Sequence, residues 1–92
     1  MVLRFDWDIR KAAANLRKHG VSFEEARTVF YDEYARLIDD PDHSDEEERL
    51  ILLGLSGALR LLTVCHCYRS PGEVIRIISA RKATRAEAKF YP

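Results

Sequence analysis

The stretch Val74-Ile75-Arg76-Ile77-Ile78-Ser79-Ala80-Arg81-Lys82-Ala83-Thr84-Arg85-Ala86-Glu87 decides how the chain is read: an apolar run turns cationic and then opens a helix. In an extended strand successive side chains point to opposite faces. That predicts Val74, Arg76 and Ile78 on one side and Ile75, Ile77 and Ser79 on the other, with Arg76 interrupting an apolar row. Thr84 and Glu87 have the spacing of a capping box, in which the hydroxyl meets free helix amides and the carboxylate reaches back, so a terminal helix is predicted over 84–91. Arg81, Lys82 and Arg85 then stand at the strand-to-helix corner, where exposed backbone amides add to the positive potential. That corner is a candidate phosphate site.

Upstream, two further turns mark strands. Residues 50–55 and 59–66 are apolar runs separated by Ser56-Gly57-Ala58, the pattern of a hairpin with a short glycine turn, and Ser70-Pro71-Gly72 makes a second turn before Val74. With residues 34–38 as a fourth strand, the middle of the chain reads as an antiparallel meander. In the 59–66 strand one face carries Leu59, Leu61, Thr63 and Cys65 and the other Arg60, Leu62, Val64 and His66. The first is expected under the helices and the second as an open face continuous with Arg76.

The N-terminal third is helical. A short strand over 2–5 is followed by Asp8 as N-cap, and Ile9, Ala12, Ala13 and Leu16 recur at helical spacing to His19-Gly20, an amphipathic helix of about three turns. Ser22 and Glu25 form another capping box, opening a shorter helix with Phe23, Ala26, Val29 and Phe30 as its stripe. Trp7, Phe23 and Phe30 are expected to fill the space between helices and sheet. The order is strand, two helices, meander, helix: an α+β fold in one domain, residues 1–92.

Composition bounds the function. An apolar share of 47% and a charged share of 33% fit a soluble globular protein. The longest nearly apolar run, 50–59, is broken by Gly54, Ser56 and Gly57, and the first residues lack the apolar block of a signal peptide, so neither a membrane span nor a signal peptide is expected and the location defaults to the cytoplasm. Cys65 and Cys67 fall on one strand face, poorly placed to bridge each other, and read as reduced. Fifteen basic residues cancel fifteen acidic ones, but unevenly. Residues 31–50 hold nine acidic and two basic side chains, residues 57–92 seven basic and two acidic. A basic C-terminal third can grip a polyanion locally without making the whole chain a nucleic-acid coat.

Metal chemistry fits poorly, and no cofactor is expected. Alternation sends His66 away from Cys65 and Cys67, no second ligand pair completes a tetrahedral site, and Asp42, Asp45 and Glu46 to Glu48 lack the glycine and spacing of an EF-hand loop. Cys65, Cys67 and Ser79 have no paired histidine to activate them, and glycine-rich phosphate loops are absent. What remains is the basic set Arg69, Arg76, Arg81, Lys82, Arg85 and Lys89, with Tyr68, Phe90 and Tyr91 nearby. Arginine forks suit phosphate oxygens, and aromatic rings hold unstacked RNA bases.

An ordered set of residues resembles the BrnT toxins of type II toxin–antitoxin systems. It comprises Phe5-Asp6-Trp7-Asp8, Asn15 with Lys18-His19-Gly20-Val21-Ser22-Phe23-Glu24-Glu25-Ala26, Asp42-His43-Ser44 with Glu48-Arg49, and Ile75-Arg76-Ile77-Ile78-Ser79-Ala80-Arg81-Lys82-Ala83-Thr84-Arg85. The resemblance implies a RelE-like α+β fold and a metal-independent ribonuclease that inhibits translation and growth. It also implies a BrnA-type ribbon-helix-helix antitoxin, with operator DNA bound only through that antitoxin. The family's basic residues and following glutamate map onto Arg76, Arg81, Arg85 and Glu87, and where family members often flank that glutamate with arginines this chain has Ala86 and Ala88.

Metal-free RNA cleavage uses the substrate's own 2′-hydroxyl as nucleophile, so the protein must move two protons and stabilise a crowded phosphate. Arg76, Arg81 and Arg85 are the expected phosphate stabilisers. Glu87 and His66 are the candidates for proton transfer, with Lys82 and Tyr91 also of suitable chemistry. Arg69, Lys82, Lys89 and Tyr91 are the expected RNA contacts. The rival reading is a non-catalytic binding module, an antitoxin-bound co-repressor, favoured by the acidic loop over 39–48.

Overall fold

In the computed structural model the described residues are 3–39, 49–69 and 74–92. Strand β1 (Arg4–Asp6) leads into helix α1 (Ile9–His19), helix α2 (Phe23–Thr28) and a 3-10 turn (Val29–Tyr31). Strands β2 (Arg36–Ile38), β3 (Leu50–Leu55), β4 (Leu61–Arg69) and β5 (Val74–Lys82) follow, then helix α3 (Arg85–Ala88). Residues 40–48, with Asp42, His43, Ser44, Asp45 and Glu46 to Glu48, lie outside the described residues, as do the Ser70-Pro71-Gly72 turn and Val2.

The meander is present: β2, β3, β4 and β5 pair antiparallel in sequence order. β1 completes a five-stranded sheet, order β1-β5-β4-β3-β2, by pairing parallel with the start of β5, Arg4 opposite Val74 and Asp6 opposite Arg76. The sheet is therefore mixed rather than a pure meander.

Local chemistry sets the helix ends. The Asp8 carboxylate accepts from the amides of Arg10 and Lys11, and Gly20 takes the left-handed conformation that ends α1. Ser22 caps α2 through the Glu25 amide, but the Glu25 carboxylate does not close the expected box. It turns to Arg60 and Ser56 instead, tying the β3–β4 hairpin to α2. That hairpin also differs from expectation. Its loop runs to Arg60 and the positive φ falls on Leu59, at 62°, rather than on Gly57.

The core forms where α1, α2 and the 3-10 turn meet one face of the sheet: Val21, Phe23, Ala26, Val29, Leu62, Val64, Ile77 and Ala80, with Phe5, Trp7 and Phe30 packed against it. Gly54 belongs to this face by necessity, since a Cβ there would stand 2.7 Å from Val29 and 2.9 Å from Ala35. The expected faces of β4 are reversed. Leu62, Val64 and His66 lie under the helices: Leu59 falls in the hairpin loop before β4 begins, so Leu62 and Val64 are the larger aliphatic pair left in the strand. Thr63 and Cys65 take the other face.

α1 does not bury its expected stripe. Ile9 and Leu16 are exposed, and the residue that enters the interior is Asn15. Its amide donates to the carbonyls of Val21 (2.9 Å) and Ala80 (2.8 Å), and its carbonyl accepts from the Ala80 amide at 3.1 Å. β1 accompanies β5 only as far as Arg76, so Asn15 supplies Ala80 with the partners that a longer neighbouring strand would give.

Candidate phosphate-binding face

β5 does not alternate strictly. Cys65 pairs with Ser79 and His66 with Ile77, which leaves Ile78 as an extra residue, a β-bulge. The bulge exchanges faces for everything beyond it. Ile75, Ile77 and Ala80 all reach the helix side, while Arg76, Ser79 and Arg81, opposite Cys67, Cys65 and Thr63, share the outer face. Strict alternation would have parted the two arginines. The signal was present in the sequence as Ile77-Ile78 followed by Ala80, an apolar pattern that skips a beat.

At the start of this face Arg76 lies 3.3 Å from the Asp6 carboxylate across the parallel β1–β5 pair. That oxygen is buried and has no hydrogen bond of good geometry, so the guanidinium is its compensation. Asp6, quoted in the sequence reading within Phe5-Asp6-Trp7-Asp8 but given no role there, thus stands beside the candidate site. At the far end Arg81 donates from both terminal nitrogens to the two Glu87 oxygens, each at 2.8 Å, and also to the Lys82 carbonyl at 3.2 Å. α3 folds back beside β5 to make this possible, and the capping box that starts it is complete: Thr84 amide to Glu87 at 2.9 Å, Glu87 amide to the Thr84 hydroxyl at 3.1 Å.

This setting fixes the charge of Glu87. The Arg81 hydrogen bonds, opposed by burial and helped by the Thr84 amide, bring its carboxyl down to about 2. It is ionised at neutral pH, a weak base that orients Arg81. Arg85 and Lys89 are exposed on or just beyond α3, so Arg81, Arg85, Glu87 and Lys89 share the C-terminal corner. A hollow of about 560 Å³ beside it is lined by Leu37, Ile38, Asp39, Thr84, Ala86, Glu87 and Phe90 and by none of the arginines.

Other expected members stand elsewhere. His66 is buried on the opposite face, its ring edge-on between Phe30 (4.8 Å) and Tyr68 (5.7 Å), with Nδ1 3.1 Å from the Val64 carbonyl. Burial holds its pKa below the usual histidine value against the pull of that carbonyl. Lys82 pairs with Leu62 and acts on Glu25, the helix side again. Arg69 is the exception: it ends β4 on the same outer face as Cys65 and Cys67, two residues beyond the Cys67 that pairs with Arg76, though roughly 20 Å from Arg81 along the strand. The Tyr91 hydroxyl donates to Asp32 at 2.6 Å, and this bond pushes its pKa up to about 12. Burial raises the pKa of Asp32, but hydrogen bonds from the Leu55 amide, Tyr91 and the Tyr34 amide outweigh it and hold the carboxyl low. Asp32 is a structural anchor that sequence reasoning passed over.

Among the described residues no three His, Cys, Asp or Glu side chains gather into a metal-ligand set, and no helix is long and apolar enough to cross a membrane. Cys65 and Cys67 form no disulfide.

Comparison with known proteins agrees with this architecture. A crystal structure of the Brucella abortus ribonuclease toxin BrnT at 1.1 Å superposes with a TM-score of 0.69, covering 91% of this chain and 100% of that one at 22% identity, a likeness of fold. No curated protein sequence matches the chain. The model of the family described as BrnT, ribonuclease toxin of type II toxin–antitoxin systems, matches residues 7–87, from Trp7 through α1, strands β2 to β5 and the Arg81–Glu87 pair. This chain belongs to the BrnT family of ribonuclease toxins.

Proposed function

We propose that the chain is a single-domain ribonuclease toxin with a RelE-like fold that cleaves RNA without a metal or cofactor in the cytoplasm, inhibiting translation and growth. A BrnA-type ribbon-helix-helix antitoxin neutralises it, and operator DNA is reached only through that antitoxin. The observation that carries the reading is the bulge at Ile78, which sets Arg76 and Arg81 on one face with α3 and Arg85 beside it. An RNA backbone laid along this face meets guanidinium groups at both ends. Arg81, held by Glu87, stabilises the phosphate as the 2′-oxygen bonds to phosphorus and the P–O5′ bond breaks, the hydroxyl proton passing to water and the departing 5′-oxygen taking one from water, and Arg76 and Arg85 hold the flanking backbone. Lys89 adds charge at the same corner. Arg69 extends the face beyond Arg76, whereas His66, Lys82 and Tyr91, though counted as site residues from the sequence, support other surfaces.

The test is cleavage of single-stranded RNA by the purified chain, with and without chelator. Removing one preorganised donor typically costs about 10²- to 10³-fold in rate, and that loss is expected for Arg81→Ala and Arg76→Ala with far-UV spectra unchanged. Full activity in both variants would clear this face of the chemistry. A second reading, the antitoxin-bound co-repressor, is favoured by one specific observation: Glu87 is held to about 2 and His66 is buried, so neither offers a proton donor of near-neutral pKa on the arginine face. RNA left intact at high protein concentration, with repression still enhanced by the chain, would decide for it.

A further inference from the structure

α1 carries an apolar line that the fold leaves largely to solvent. Ile9 is 81% exposed and Leu16 51%, and Ala13 between them is exposed as well. At about 100° per residue the three fall on one line, roughly a quarter-turn around the axis from the Ala12, Asn15 and His19 line that turns toward the protein. Another quarter-turn on, facing directly outward, stand Arg10 and Arg17. With Lys11 and Lys18 they give α1 four Lys and Arg side chains and no acidic one.

We propose that this line is the docking surface for an amphipathic helix of a protein partner, whose apolar edge packs on Ile9, Ala13 and Leu16 and whose acidic flank meets Arg10 and Arg17. The i, i+4, i+7 spacing is that of a ridge which a second helix straddles, and Ala13 at its centre lets the two backbones approach. Charge selects the occupant. A second copy of this chain would set the same four cations against themselves. A flat bilayer laid on α1 would meet Arg10 and Arg17 before the apolar line, which lies to the side. Single-stranded RNA would find no aromatic platform there. The surface shares no residue with the arginine face, so it stands or falls independently of the ribonuclease reading.

The experiment titrates the ¹⁵N-labelled full chain with a synthetic helical peptide bearing Leu and Ala along one edge and Glu on its flanks. The same peptide with Lys flanks, and phosphatidylglycerol vesicles, form the other arms. The Glu-flanked peptide should move the amide signals of residues 9–17 and bind about tenfold or more tightly than its Lys-flanked twin, less so as salt rises. Arg10→Glu with Arg17→Glu should reverse that preference, and Ile9→Ser with Leu16→Ser should abolish binding of both peptides without lowering the melting temperature. Unmoved α1 signals, an equal response to both peptides, or a stronger response to the vesicles would each overturn the proposal.

Discussion

α1 and α2 start from the same kind of sequence, an apolar stripe set among charges, and are used in opposite ways. α2 and the turn after it bury Phe23, Ala26 and Val29 completely. α1 leaves Ile9 and Leu16 to solvent and sends an amide inward. The difference teaches that periodicity reports which residues share a line but not which line the fold consumes. The end of β5 needed hydrogen-bond partners more than it needed another leucine.

The comparison can be broken most severely at α2. Phe23→Ala should cost about 3–5 kcal/mol, a large part of the stability of a domain this size, read as a fall in denaturation midpoint. Asn15→Ala should follow at about 2–3 kcal/mol, because both Ala80 groups and the Val21 carbonyl lose their partners in the interior. Asn15→Leu should not rescue it, whereas a leucine there would restore stability if α1 were held by its apolar content. α3 offers an intermediate case, held by charge. The folded-state pKa of Glu87, about 2, lies below its ordinary 4.5, so the pair's contribution is fully present above pH 4.5 and lost as pH falls toward 2. Glu87→Gln should flatten that part of the stability–pH curve and lower stability at neutral pH. Smallest of all, Ile9→Ser or Leu16→Ser should change stability by no more than about 0.5 kcal/mol. A loss comparable to that of Phe23→Ala would mean the outer line of α1 is structural.

Much of the fold was legible where chemistry is local. Asp8, Ser22 and Thr84 announced their helices, and the hairpin and meander followed from apolar runs and turn residues. What escaped was whatever depends on contact across the chain. Nothing near Arg4 says that its strand will lie parallel to Val74. Glu25 had a complete local motif and gave its carboxylate to Arg60 instead. The candidate site shows the same division. Arg81 and Glu87 were named from their stretch, and their pairing needs α3 only to fold back. His66 and Lys82 were named with them, but pleat and bulge carry them to the other face.

β1 has its only strand partner among the described residues in β5, with Arg4 beside Val74, seventy positions later. During synthesis, at about 5–20 residues per second, the first strand waits on the order of several seconds for that neighbour to exist. The Asp6–Arg76 contact cannot form before then. Whatever this surface does to a polyanion therefore waits until β5 has been made, which gives a cell time to have a neutralising partner already waiting.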